Sequence, residues 1–220
     1  MIKELKKEYY QRLPHIQPIG AIFFVTFRLY ESIPRKKTTQ LKQYYQKKSK
    51  EIKTINDKHL RNRKLFALRN EYFQDYNILL DKIDSGPVYL ENDSIAKIVS
   101  EQIHRFDGDF YDLIAYSIMN NHVHLLIDTS LQLPDRIEEI ELIENYIALD
   151  QILKRIKGPS AIYSNRELGL SGQFWARESF DTYVRNDKML KNIISYILEN
   201  PVKAGIVNTW KEYKWNYLKK

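Results

Sequence analysis

Apolar residues alternate with period two in several stretches of this chain, the spacing of a strand whose side chains point to opposite faces. Ala21, Phe23, Val25, Phe27 and Leu29 interleave with Ile22, Phe24, Thr26 and Arg28, which predicts a central strand over 21–29. Thr26 and Arg28 are its polar exceptions; they either face a site or mark an exposed strand end. Tyr111–Met119 and His122–Asp128 read as a hairpin turning at Asn120-Asn121, and Gln173–Arg185 as an extended aromatic segment. Elsewhere the period is helical. Between Lys36 and about Asp84 there is neither Gly nor Pro. There Leu41, Tyr44, Tyr45, Lys48, Ile52 and Ile55, then Leu65, Leu68, Tyr72, Phe73, Tyr76 and Leu80, predict two helices joined near Asn56-Asp57. Asp93 or Ser94 is positioned to cap a helix with Ile95, Ile98, Val99, Ile103 and Phe106 on one stripe, ended by Asp107-Gly108-Asp109. After Pro134 an acidic helix is expected, with Leu142, Tyr146, Leu149, Leu153 and Ile156 on one side and a stop at Gly158-Pro159. A last helix runs from a cap at Asn186 or Asp187 to Glu199, ended by Asn200-Pro201. Residues 1–18 read as a charged, extended or turn-like entry, and Trp210–Lys220 as an aromatic, basic tail without strong period. The economical organisation is one domain over 1–220 with a helical arm inserted at about 36–84.

Composition narrows the classes. Of 220 residues 43% are hydrophobic and none is cysteine, so a core can form while disulfides and thiolate metal sites are excluded. The charged N-terminal stretch lacks the apolar centre of a signal peptide, and the run Ile19–Phe27 is too short to cross a bilayer. A soluble, cytoplasmic protein without a membrane partner is expected. Net charge is +7, but its distribution matters more. Residues 35–69 hold thirteen Lys and Arg against Glu51 and Asp57, a local +11 that leaves −4 for the rest. Such a block is ordinarily a solvated face. Here tyrosines interleave with lysines, which points to nucleic acid, with Lys42, Lys47, Lys48, Lys50 and Lys53 as phosphate contacts.

The candidate chemistry lies in Met119-Asn120-Asn121-His122-Val123-His124-Leu125-Leu126-Ile127-Asp128. Strand alternation puts His122, His124, Leu126 and Asp128 on one face and Val123, Leu125 and Ile127 on the other. Two imidazoles side by side are either half-buried structural residues or half of a metal site. On the last helix Leu190, Ile193, Ile194, Ile197 and Leu198 make the buried stripe. At about 100° per residue Tyr196 falls on the flank of that stripe, with Asn200 about 40° from the tyrosine. A flank position can deliver a phenol to a site on the neighbouring sheet, on the side that carries both imidazoles.

These motifs resemble a known family. "MNNHVHLLI" (119–127) is similar to the "MPNHVHLL" signature, and "YILENPVKAGIV" (196–207) to the tyrosine signature, of the REP-associated tyrosine transposases, single-tyrosine transposases of the HUH class. "LPHIQPIGAIFFVTFRL" (13–29), "GQFWARESFDTYVR" (172–185) and "WKEYKWNYL" (210–218) resemble further family blocks in the family's order, covering most of the chain outside the arm. The resemblance implies an α+β, ferredoxin-like antiparallel sheet flanked by helices. It also implies metal-dependent cleavage and rejoining of single-stranded, hairpin-bearing DNA through a covalent phosphotyrosine. Position by position it makes His122 and His124 metal ligands, Asn200 the polar residue completing that site and Tyr196 the nucleophile. Asn120 stands where the family has proline, which alters the turn and removes no ligand. Two imidazoles, an amide and water suit Mg²⁺ or Mn²⁺. Arg28, Arg177, Arg185 and Lys203 are further candidates for DNA contact, Trp175 reads as core, and monomer and homodimer are both compatible. The alternatives are a domesticated, non-cleaving nucleic-acid-binding protein and a zinc hydrolase using His122 and His124.

Overall fold

A computed structural model describes residues 6–10, 14–81, 86–134 and 145–220. The chain divides into two compact units, one of residues up to Arg28 together with Tyr89–Lys220, the other Leu29–Val88. Residues 82–84, at the end of the predicted arm, and 135–144, with the predicted Leu142, lie outside the described residues.

The larger unit is built on five strands in the order β6-β3-β5-β4-β7: β3 (Ile22–Leu29), β4 (Asp112–Ile118), β5 (His122–Asp128), β6 (Trp175–Tyr183) and β7 (Asn216–Leu218). The sheet is antiparallel, and with its helices it makes the expected α+β fold. Within the expected extended entry, β1 (Lys6–Tyr10) and β2 (Pro14–Pro18) pair antiparallel as a separate two-stranded sheet. The unpatterned tail supplies the short edge strand β7.

β3 and β5 are almost wholly buried, because helices cover both sheet faces. On one face lie α3 (Asp93–His104) and α4 (Leu149–Leu168). Tyr116 of β4 bonds Ser100 of α3 at 2.8 Å, and buried Trp175 of β6 donates its indole N–H to Ser160 of α4 at 2.9 Å. Trp175 is therefore core, packed edge-on against Phe27. The cap of α3 is Asn92, whose side chain accepts from the Ser94 N–H, rather than Asp93 or Ser94.

Two helices outrun their expected ends. α4 begins only at Leu149 and passes through Gly158-Pro159 to a left-handed Gly169 (φ 65°). Its buried stripe is Leu149, Ile152, Ile156, Ser160 and Ser164, so Leu153 and Tyr146 are not on it. α5 (Asp187–Lys203), on the other sheet face, continues through Pro201 to Lys203. A proline removes one N–H and crowds one carbonyl. In α4 the buried stripe continues past the proline to Ser160 and Ser164, and in α5 Pro201 is itself buried at the end of the stripe.

In the smaller unit α1 (Arg35–Lys53) and α2 (Lys58–Asp81) run antiparallel, since Lys48 pairs with Glu71 at 3.1 Å and Tyr45 bonds Asp75 at 2.8 Å. Tyr45, Tyr72 and Tyr76 are buried in its interior, with the Tyr45 and Tyr72 rings 5.0 Å apart. The tyrosines expected on a nucleic-acid surface thus largely form the core of the helical pair; Tyr44, 49% exposed, is the exception.

Candidate catalytic and metal-binding site

β5 sits at the centre of the sheet, and its backbone places His122 and His124 on the face covered by α5. Val123 and Leu125 point the other way, into the core under α3 and α4. Arg28 and Thr26 of β3 lie across from His122 and His124, and Ser117 of β4 lies across from His124 on its other side. Both imidazoles are buried, 2% and 0% exposed.

Burial sets their protonation. Removal from water pushes His122 down to about 3 and His124, with His122 beside it, well below the ordinary imidazole value. Both rings are neutral at pH 7 and each carries one N–H. The His122 Nδ1 lies 2.6 Å from the Asn121 side-chain oxygen, an acceptor, so its proton is at Nδ1 and its lone pair at Nε2. The Nδ1 of His124 is 2.8 Å from the Thr26 hydroxyl, which accepts or donates. The two Nε2 atoms then face each other at 3.1 Å, where at most one proton can sit between them.

The third polar group comes from α5. Buried Asn200 places its amide nitrogen 3.2 Å from His124 Nε2, and its buried side-chain oxygen has no hydrogen-bond partner among the described residues. Two neutral imidazole nitrogens thus lie beside the Asn200 amide, whose oxygen is buried and unsatisfied, and with that amide turned to present its oxygen the donor set fits a divalent cation. Among the described residues no third His, Cys, Asp or Glu joins the pair, so the ligand set expected of a zinc hydrolase is not assembled there.

Tyr196 precedes Asn200 by four residues, one helical turn, and lies on the same side of α5. Its ring meets the His124 ring at 5.2 Å between centroids and the Phe24 ring at 5.9 Å. Tyrosine and both imidazoles therefore share one sheet face, as strand alternation and the helix flank require. Seven residues on, Lys203 returns to that side, with its Nζ 5.2 Å from the centre of the Tyr196 ring. The helix extension through Pro201 makes this possible; a helix ending at Asn200 would leave Lys203 outside it.

The remaining candidates separate. Arg28 borders the histidine pair. Arg177 is exposed on β6, one strand removed from β5, and Arg185 follows β6 with its guanidinium 4.9 Å from the Tyr183 ring. Lys47, Lys50 and Lys53 are exposed on α1, whereas Lys42 and Lys48 are half-buried on the side facing α2. Lys48 is held by Glu71 and lies 4.5 Å over Tyr44. Asn121 and Phe24 join the site without having been expected there. Phe24 shares the parity of Thr26 and Arg28, so the alternation of β3 carries its signal; Asn121 has only the signature of a turn residue.

No protein-family model matches the chain. A Haemophilus influenzae protein described as a REP-associated tyrosine transposase is 27% identical over 106 residues, 48% of this chain. The chain spans 58% of that relative's length. A solved structure of a REP-associated tyrosine transposase bound to a REP hairpin is 14% identical and superposes with a TM-score of 0.51. That match covers 92% of this chain and 79% of the other. The family resemblance carried by the five sequence blocks is thus met by a relative in sequence and by a solved structure in fold.

Proposed function

We propose that this protein is a transposase-like strand transferase that cleaves and rejoins single-stranded, hairpin-bearing DNA in the cytoplasm, as a monomer or homodimer. One observation carries the reading: His122, His124 and Asn200 converge beside the Tyr196 ring on one face of the sheet. The relative's description and the REP hairpin bound in the similar structure point the same way.

His122, His124 and Asn200 would hold Mg²⁺ or Mn²⁺, which supplies Lewis acidity toward a non-bridging phosphate oxygen. A tyrosine phenol, with a pKa of about 10 in water, is a weak nucleophile at neutral pH and needs an electron-poor phosphorus. Tyr196 Oη forms the new bond to phosphorus as the bond from phosphorus to the 3′ oxygen breaks, and the phenol proton is balanced by protonation of the departing 3′ oxygen. The products are a phosphotyrosine and a free 3′ hydroxyl. Because one ester replaces another, a second strand's 3′ hydroxyl can reverse the step and release Tyr196 without ATP. Lys203 beside the Tyr196 ring and Arg28 beside His122 are placed to offset phosphate charge. No catalytic part is assigned to Arg177 or Arg185; DNA contact by either would be with the backbone.

The test is incubation of the protein with labelled, hairpin-bearing single-stranded DNA and Mn²⁺, followed by denaturing electrophoresis. The wild type should form a covalent adduct. Tyr196→Phe, which removes one oxygen and keeps the ring packed, should form none while binding DNA and Mn²⁺ as before. An adduct in Tyr196→Phe would assign the nucleophile elsewhere. Binding without any adduct in the wild type would leave the non-cleaving DNA-binding protein in its place.

A further inference from the structure

We infer that the α1–α2 unit binds the sugar-phosphate backbone of duplex nucleic acid; this rests on the proposed action on hairpin DNA and identifies the stem as the second point of attachment. The outward side of α1 carries Lys36, Gln40, Gln43, Lys47, Lys50 and Thr54 at three- and four-residue steps, all exposed. From Lys36 to Lys50 this stripe extends about 21 Å. The matching side of α2 presents His59, Arg63, Asn70 and Gln74, also exposed. Neither stripe contains a carboxylate.

The acids of the unit are mostly engaged elsewhere. Glu71 is paired with Lys48 at the surface, Asp75 accepts from Tyr45, and Asp57 accepts from the His59 and Leu60 N–H groups at the start of α2. Exposed Glu51 flanks the α1 stripe. The cations that open α1 run against helix stability. Its first turn contains no acid and begins with Arg35, Lys36 and Lys37, and positive charge at a helix N-terminus opposes the macrodipole, whereas Lys50 and Lys53 in its last turn suit it. The opening cations therefore do not serve the helix itself, and they suit a polyanion.

The form of the polyanion follows from the tyrosines. Grooves for single strands combine cations with exposed aromatic rings on which bases stack. Here Tyr45, Tyr72 and Tyr76 are turned into the interior, Tyr44 at the flank of the α1 stripe has Lys48 over its ring, and the stripe itself carries cations and polar side chains without an aromatic ring. Such a surface meets phosphates without reading bases, as duplex-backbone contacts do.

The experiment measures affinity of the full chain for a blunt duplex of unrelated sequence across a range of salt, by fluorescence anisotropy. The triple variant Lys36→Gln, Lys47→Gln, Lys50→Gln should bind more weakly. Its log–log salt slope should be shallower by up to about 2.7, about 0.9 for each phosphate that the variant leaves un-neutralised. Lys→Arg at the same positions should keep the wild-type slope. An unchanged slope in the triple Gln variant would overturn the inference, and so would weakening confined to anionic phospholipid vesicles with duplex affinity intact. Adduct formation at Tyr196 on unpaired DNA should survive in the variant; its absence from the wild type would refute the catalytic reading and leave the duplex measurement standing.

Discussion

The histidine pair is held by two different neighbours, and the difference has consequences. The Asn121 oxygen can only accept, so it fixes the His122 proton at Nδ1. The Thr26 hydroxyl can accept from His124 Nδ1 or donate to it. The Asn200 amide nitrogen, 3.2 Å from His124 Nε2, can only donate, so His124 Nε2 accepts and its proton sits at Nδ1 toward Thr26. Both Nε2 lone pairs are then presented to a cation. Thr26→Val, close to isosteric, removes this partner and leaves a buried ring nitrogen unsatisfied. Mn²⁺ affinity in a calorimetric titration is expected to fall by about 10- to 100-fold, the usual effect of removing such a supporting group. Thr26→Ser should restore most of it. Equal affinity in Thr26→Val and wild type would mean that the hydroxyl does not position His124.

At the level of elements, what the sequence revealed depended on whether a residue's signal was local. The central strand, the hairpin at 112–128 and the two-helix unit follow from periods that neither Gly nor Pro interrupts, and they appear close to their expected limits. Tyr196 on the flank of its helix was equally legible, since helical spacing alone puts it one turn from Asn200. Pro159 and Pro201 misled because a proline after glycine or asparagine reads as a stop, while the burial that carries α4 past Pro159 and encloses Pro201 depends on residues distant in sequence. The tyrosines of α1 and α2 misled for the opposite reason: at helical spacing an interior stripe and a stacking surface look alike. The start of α5 offers a clean test of what holds the helix that carries Tyr196. Asn186 accepts from the Met189 N–H at 2.9 Å and lies about three turns from Tyr196. Asn186→Ala should lower the urea midpoint by an amount equivalent to about 1 kcal/mol with unchanged slope. Adduct formation at temperatures well below unfolding should be retained, because neither Tyr196 nor Asn200 is deprived of a partner.

For the whole molecule, the buried imidazoles make the site a source of acid sensitivity. Folded His122 titrates at about 3 and His124 also well below its ordinary value, whereas both titrate at about 6.5 in the unfolded chain. Between those limits the unfolded state binds protons that the folded state does not, so stability rises with pH through this window and falls on acidification. Both groups act in the same direction over this window, so their losses add. The metal-free protein should therefore show a steep drop in melting temperature between pH 7 and 5, measured by circular dichroism in buffers of equal ionic strength. His124→Gln, which replaces a titrating ring by an amide, should have a shallower pH dependence even if its melting temperature at pH 7 is lower. Saturating Mn²⁺ should raise the wild-type melting temperature most at neutral pH and progressively less toward pH 5, because the ion and protons compete for the same lone pairs. A melting temperature that is flat from pH 7 to 5 would mean that the imidazoles are protonated in the fold, and a protonated pair could not offer two nitrogens to a cation.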